Sequence, residues 1–308
     1  MFRFETPDSS IDSSRKREAF LSQLEDFLHD EALQELLQIL NVDIETLGQV
    51  YNARALSKGS VVETQEIQSS EVLKDKKEIL YPLFKELGFF DINKPRWEKN
   101  SRVIVLGGSL NACNKRTECA KKWIDETTAK VDGLTCFRPI GSAERRIAPA
   151  SSCETETGAM AESFARVFDL NPQNYTETFT SDRNLNSISC IRIFSRSDGR
   201  NYRIFSAPSS EPHLRRADTA DTLRFYFEND ELMAHDESAL FITNNRHCNR
   251  QFLQLSYCMI ERGYSGMIDV IGCSPDDDIV TADTYDPLQY LQDLIGITDW
   301  INRFKKLI

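Results

Sequence analysis

Three side chains that could hold an anion and move a proton fall within five residues: Arg246, His247 and Arg250, in the stretch TNNRHCNR that begins at Thr243. Two guanidiniums suit a phosphate or carboxylate, because a planar fork of N–H donors matches a pair of oxygens. An imidazole between them could act as a general acid for an oxygen leaving group. The same residues also read as a solvated turn whose arginines pair with surface acids. Arg215, Arg216, Asp218, Thr219 and Asp221 form a second dense group. Its arginines could serve the same anion, while Asp218 or Thr219 reads equally well as a helix cap. A third group is Gly107, Gly108 and Ser109, directly after Val103, Ile104, Val105 and Leu106. Glycine lets backbone N–H groups approach a ligand, and a helix N-terminus favours negative charge. The pair reads equally as a tight turn alone, since neither GxGxxG nor GxxxxGK[ST] occurs.

Weaker signals surround these. Arg116 falls near the start of a helix expected from about Lys115, where a basic residue opposes the helix dipole and points to an anionic partner. Glu154 and Glu156 stand where that dipole favours acids. Asp276, Asp277 and Asp278 could bind a divalent cation but read better as a solvated loop, so no metal site is assigned. Cys113 in the first loop is the residue of a minor reading, a thiol-dependent hydrolase. Cys248 beside His247 is not a nucleophile pair, because adjacent side chains point apart.

These groups need elements to position them. The apolar runs 103–106, 134–137, 239–243 and 267–271 read as buried strands of a parallel sheet. Residues 188–194 and 202–205 flank Ser197, Asp198 and Gly199, a hairpin signal. Helical spacing recurs over 155–168, 219–227, 252–261 and the tail 286–308, and residues 142–153 read as a polar loop. Strands alternating with helices predict an α/β fold, a Rossmann-like, mainly parallel sheet with helices on both faces. Ligands of such sheets bind beyond the carboxyl ends of the strands, where the glycine turn, Thr243 and the arginines fall. Residues 1–95 read as an N-terminal helical lobe with a polar loop at 57–70. Residues 96–308 read as the α/β domain, with a hairpin insertion around 184–212 and a C-terminal helix.

The totals limit the partners. The chain has 308 residues, 40% of them apolar, and a net charge of −11. That balance opposes binding to nucleic acid or to an anionic membrane, but not binding of a small anion. No run is long and apolar enough for a membrane span, and the first residues show no signal peptide. Eight cysteines without a CxxC pair read as reduced thiols of a cytoplasmic protein.

Taken in order, VIVLGGS with Arg116 downstream, the helix start Thr155, Glu156 and Thr157, the segment RRADTADT from Arg215, and FITNNRHCNRQF with Thr243, His247 and Arg250 resemble the SanA/YdcF-like bacterial proteins. The resemblance covers roughly residues 101–275. It implies a Rossmann-like fold with a cleft for an anionic, nucleotide-like or phosphorylated ligand, in a family of poorly defined biochemistry.

The reading reached is a small-molecule enzyme, leaning to hydrolase or transferase, acting on a phosphorylated or nucleotide-derived substrate. His247 would be catalytic. Gly107, Gly108, Ser109, Arg116, Arg216, Thr219, Thr243, Arg246 and Arg250 would bind the ligand. No motif requires a cofactor, and the ligand could itself be nucleotide-like or adenosylated. The alternative is a non-catalytic metabolite-binding or protein-interaction module, with a protein partner on the N-terminal lobe.

Overall fold

The computed structural model describes residues 1–7, 13–52, 69–91, 94–147, 151–196, 199–230, 237–263, 266–273 and 284–307. The chain divides into two compact units, residues 1–93 with 245–253 and 274–308, and residues 94–244 with 254–273. Residues 245–253 and the C-terminal helix, which the sequence assigns to the α/β domain, thus group with the N-terminal helices. Most of the polar loop 57–70, Ser197 and Asp198 of the hairpin turn, and Asp276 to Asp278 lie outside the described residues.

The first unit holds α1 (Ser13–Leu28), α2 (Glu31–Leu40), α3 (Leu47–Tyr51), α4 (Glu71–Asp75), α5 (Lys77–Glu86) and the C-terminal helix Pro287–Leu307. Aromatic rings join them: Phe20 lies 4.9 Å from Phe304, and Phe84 and Phe90 lie 5.5 and 4.8 Å from Tyr290. Each such buried ring contributes about 1.5–3 kcal/mol over its exposed state. Asp286 fixes the start of the C-terminal helix by accepting from the Ser69 hydroxyl at 2.6 Å.

The second unit is built on β1 (Arg102–Leu106), α6 (Leu110–Lys121), β2 (Lys130–Cys136), α7 (Ser142–Ile147), α8 (Glu156–Phe168), β3 (Tyr175–Thr180), β4 (Ser189–Phe194), β5 (Asn201–Ala207), α9 (Thr219–Asn229), β6 (Ser238–Asn244), α10 (Cys248–Arg262) and β7 (Met267–Cys273). Only the later part of α10 belongs to it. The sheet order is β3-β4-β5-β2-β1-β6-β7. β1, β2, β5, β6 and β7 run parallel, and β3, β4 and β5 pair antiparallel. This is the α/β, mainly parallel architecture the sequence predicts. On one face Cys113 and Ala120 of α6 and Met160 and Phe164 of α8 cluster with Val103, Val105, Val131, Ile204, Leu240 and Ile242. On the other, Tyr226 of α9 packs edge-on against Phe205 at 5.0 Å.

Several boundaries move for physical reasons. β2 begins at Lys130, four residues before its apolar run, because Asp132 is buried inside the strand and paired there. Residues 142–147 are helical, not loop. β3 was not expected: its residues YTETFT are nearly all exposed and carry no apolar run. α6 starts at Leu110 rather than near Lys115, because Ser109 caps it by accepting from the Ala112 amide. No helix among the described residues is long and apolar enough to cross a membrane.

An ion network closes the amino ends of the strands. Asp230 accepts from Arg102, from Lys130 at 3.0 Å and from Arg203 at 2.7 Å. Arg203 also grips Asp132 through two bonds of 2.7 Å, and the Tyr226 hydroxyl donates to Asp132 at 2.9 Å. Burial alone would raise the Asp230 carboxyl, but Arg203, Lys130 and Arg102 pull it down to about 2. Its contribution is therefore complete above the unfolded aspartate value, near pH 4, and is lost as pH falls through about 2. Urea denaturation should show about 2.5 kcal/mol leaving over that window on this account. Asp230→Asn should abolish that part of the acid loss and cost about 3–5 kcal/mol at pH 7, since it removes the buried carboxylate that three cations share.

Candidate functional sites

The chain leaves β1 for β2 on one side and returns as β6 on the other, so the carboxyl ends of β1 and β6 flank the point where the winding reverses. Leu106 ends β1 there, Asn244 ends β6, and the glycine turn follows Leu106. The Gly107 amide donates to the Leu134 carbonyl at 2.7 Å. A β-carbon on Gly107 would stand 2.6 Å from that carbonyl oxygen and 2.2 Å from Oε1 of Glu156. Glycine is required here by close approach. Gly108 is less confined: its β-carbon would meet Ala112 at 3.1 Å and Arg116 Nη1 at 3.2 Å.

Two buried guanidiniums hold the carbonyls of this turn. Arg116 donates through Nη1 to Leu106 at 2.7 Å and to Gly107, and through Nε to Asn244 Oδ1 at 3.0 Å. Arg138 donates through Nη2 to the Gly108 carbonyl at 2.8 Å and through Nε to Glu156 Oε2 at 2.9 Å, and it pairs with Glu144 at 2.9 Å. Arg116 lies in the second turn of α6, not at its start, so the dipole conflict expected from the sequence is absent. Thr155 caps α8 from the Gly158 amide, and this brings Glu156 over the turn.

Glu156 is the residue the sequence underrates. It reads as a dipole-stabilised acid, yet it is buried and its neighbours are charged. Burial raises its pKa above the ordinary glutamate value, while Arg138, Arg216 and Arg116 oppose the rise. A strand-end arginine followed by a capped acid, Arg138 then Thr155 and Glu156, is the signal that could have found it. Burial and Glu156 push the Cys113 thiol up to about 12, and the thiol donates to the Gly108 carbonyl. A protonated, buried thiol is a poor nucleophile, which removes the thiol-hydrolase reading of Cys113.

Arg215 and Asp221 form an internal pair at 2.6 Å, and Asp218 with Asp221 makes a capping box on α9. Asp218 is thus the cap, and Thr219 is the first residue of the helix. Arg216 is half-buried, within electrostatic reach of Glu156. Thr243 is fully buried in β6, and its hydroxyl has no hydrogen-bond partner among the described residues. A groove of about 470 Å³ lined by Cys153, Glu162, Arg166 and Arg192 includes none of the predicted site residues.

In the first unit, Arg246, His247 and Arg250 converge on one carboxylate that the sequence pattern did not supply. Asp293 Oδ1, on the C-terminal helix, lies 2.7 Å from His247 Nδ1 and 2.6 Å from Arg250 Nε, and Arg246 Nε is 3.6 Å from Oδ2. Arg246 also donates to Gln289. A β-carbon on Gly296 would stand 2.3 Å from Arg250 Cδ, so this mid-helix glycine makes room for the arginine. Burial would raise Asp293, but His247, Arg250 and Arg246 hold it well below the ordinary carboxylate range. An ionised carboxylate only accepts, so His247 carries its proton on Nδ1 and leaves Nε2 as an acceptor. Burial lowers the His247 pKa, Asp293 opposes, and Arg246 and Arg250 add to the fall, which leaves it at about 3. At neutral pH this imidazole is uncharged, and so low a pKa makes it a weak base, so the ring does not carry the proton that the general-acid role expected from the sequence would need. Among the described residues no group of three or more His, Cys, Asp or Glu side chains could hold a metal ion.

Comparison with protein-family models, with curated proteins and with solved structures finds no match for this chain.

Gly107→Ala should destabilise the fold by about 1–3 kcal/mol in urea denaturation, as overpacking against backbone does. Gly108→Ala should cost less, because its nearest neighbours are side-chain atoms that can shift. For His247, a folded pKa below the unfolded value of about 6.5 means the unfolded chain binds the extra proton, so stability falls as pH drops below 6.5. Nitrogen-15 NMR at pH 6 should find a neutral ring protonated at Nδ1, and His247→Gln should flatten the stability profile between pH 6.5 and about pH 3.

Proposed function

We propose that the protein is an enzyme acting on a phosphorylated or nucleotide-derived small molecule at the carboxyl edge of its parallel sheet. One observation carries this reading: three guanidiniums, Arg116, Arg138 and Arg216, act on a single buried carboxyl group, Glu156, beside the glycine turn. Arginine charge collected at that edge, in a chain of net charge −11, favours an anionic ligand there. Arg116 and Arg138 are buried at the turn and act chiefly through their field, and Arg216 is half-buried, so a ligand can reach it. The first amides of α6, next to Gly108 and Ser109, offer further donors to a phosphate. Glu156, with its raised pKa, is the proton-transfer group of this edge, as desolvated carboxyl groups are in acid–base catalysis.

The resemblance to the SanA/YdcF-like proteins points to the same class of ligand. Arg246, His247 and Arg250 are read separately. Within their own unit both guanidiniums and the imidazole face one carboxylate of the chain, Asp293.

Thermal-shift measurements on the full chain with nucleotides, sugar phosphates and adenosylated cofactors test the proposal, with mass spectrometry of the incubated ligands to detect turnover. A phosphorylated ligand should raise the melting temperature. Arg216→Gln should weaken binding about tenfold to a hundredfold, the loss expected for one charge-assisted phosphate contact of about 1.5–3 kcal/mol. Glu156→Gln should keep the thermal shift and lose turnover. Binding without turnover would make the protein a metabolite sensor, and no shift with any anion would remove the proposal.

A further inference from the structure

Two thiols of the sheet unit face each other. Cys119 lies in the last turn of α6, and Cys273 is the last residue of β7. Their side chains are in hydrogen-bonding contact, and neither is in a disulfide. Cys119 is half-buried and packs on the apolar cluster that includes Cys273, which is 9% exposed. The Lys122 ammonium and the Trp123 side chain complete the surroundings of the Cys119 sulfur. The pair is therefore a cluster: two thiols in contact, one open to a small molecule, with a cation beside it.

Five of the other thiols differ. Burial pushes Cys113, Cys136, Cys190 and Cys258 up to about 12 and Cys153 up to about 11. Cys119 moves the other way, chiefly through the Cys273 thiol, with Lys122 and Trp123 adding to the effect. A thiolate is the reactive form of cysteine, so exposure and charge select the same residue.

We propose that Cys119 and Cys273 form an oxidation site, a dithiol that a peroxide closes into a disulfide joining α6 to β7. The Cys119 thiolate attacks one oxygen of hydrogen peroxide. A sulfur–oxygen bond forms, the oxygen–oxygen bond breaks, and the leaving hydroxide takes up the proton that the Cys119 thiol gave up, as water. The Cys273 sulfur then attacks the Cys119 sulfenic acid. The sulfur–sulfur bond forms, the sulfur–oxygen bond breaks, and the departing hydroxide takes the Cys273 proton as a second water. Two thiols are oxidised and one peroxide is reduced. A disulfide needs sulfurs about 2.05 Å apart, closer than two thiols in contact, so α6 and the end of β7 draw together. α6 also carries Arg116, three residues before Cys119, so the bond anchors the helix whose guanidinium holds the Leu106 and Gly107 carbonyls.

The test treats the folded full chain with hydrogen peroxide, then alkylates it under denaturing conditions and maps its peptides. The free-thiol count should fall by two from eight. A cross-linked peptide should join Cys119 to Cys273, and dithiothreitol should restore both thiols. Cys119→Ser and Cys273→Ser should each abolish the cross-link, and iodoacetamide at near-neutral pH should label Cys119 of the untreated wild type before the other thiols. The wild-type mapping decides the matter even if a serine variant fails to fold. Eight thiols surviving peroxide, a cross-link between other cysteines, or oxidation of Cys119 to sulfinic acid without a cross-link would each overturn the proposal.

Discussion

The sheet unit depends on how the carbonyl groups beyond β1 are satisfied. β1 is the most protected strand, with strands on both sides and all five residues buried. Where it ends, the buried Leu106 and the half-buried Gly107 and Gly108 present carbonyl oxygens, and an unpaired buried carbonyl costs about 1–3 kcal/mol. Arg116 and Arg138 supply the donors. A buried guanidinium must in turn be compensated, so Arg116 takes Asn244, and Arg138 takes Glu156 and Glu144. Each compensation ties another element to the turn: α6 by Arg116, the end of β6 by Asn244, α7 by Glu144 and α8 by Glu156. One requirement for satisfied carbonyls therefore sets the positions of four elements around the place where a ligand of this fold class would sit.

The two ends of the sheet treat charge differently. At the amino ends, Arg102, Lys130 and Arg203 pair directly with Asp132, Asp230 and Glu237. The hydroxyl of Tyr226 completes that network. At the carboxyl ends, Arg116, Arg138 and Arg216 face Glu156 and Glu144, and the neighbouring Cys113 and Cys136 stay protonated. The paired network at the amino ends contributes structure. Arginines gathered around a desolvated carboxyl group beside the glycine turn are the arrangement on which the proposed anion site rests. The asymmetry, rather than the glycine turn itself, distinguishes the carboxyl edge as the candidate site.

The strands were legible where apolar residues dominate the run, as in 103–106, 239–243 and 267–271, the last in spite of the buried Asp269. Legibility failed in the first half of β2, where polar residues outnumber apolar ones. Asp132 hides the first half of β2 because its partner Arg203 is distant in sequence. The exposed edge strand β3 failed for the opposite reason, since it buries almost nothing and leaves no apolar trace. The candidate site was half legible. Gly107, Gly108 and Arg116 were found, but their roles were not: Gly107 makes room for a carboxylate, and Arg116 grips backbone. Both roles rest on contacts with residues read separately along the chain.

The same limit governs Arg246, His247 and Arg250. Read alone, three cationic or basic side chains within five residues look like a site awaiting an anion. The anion that meets them belongs to the chain itself, forty-three residues beyond Arg250, as Asp293. A trace of it is nevertheless present in the C-terminal helix. Gln289, Asp293 and Gly296 recur at spacings of four and three, one face of a helix whose other positions are largely apolar and buried. A carboxylate and a glycine on such a face oppose both burial and helix propensity, and each conflict needs a cause. Both causes lie in the same partner: Asp293 accepts from Arg250, and Gly296 leaves the volume that the Arg250 side chain fills. A polar stripe on a buried helix is therefore evidence of charged partners elsewhere in the chain, and a cationic cluster should be weighed against such stripes before its charge is assigned to a ligand.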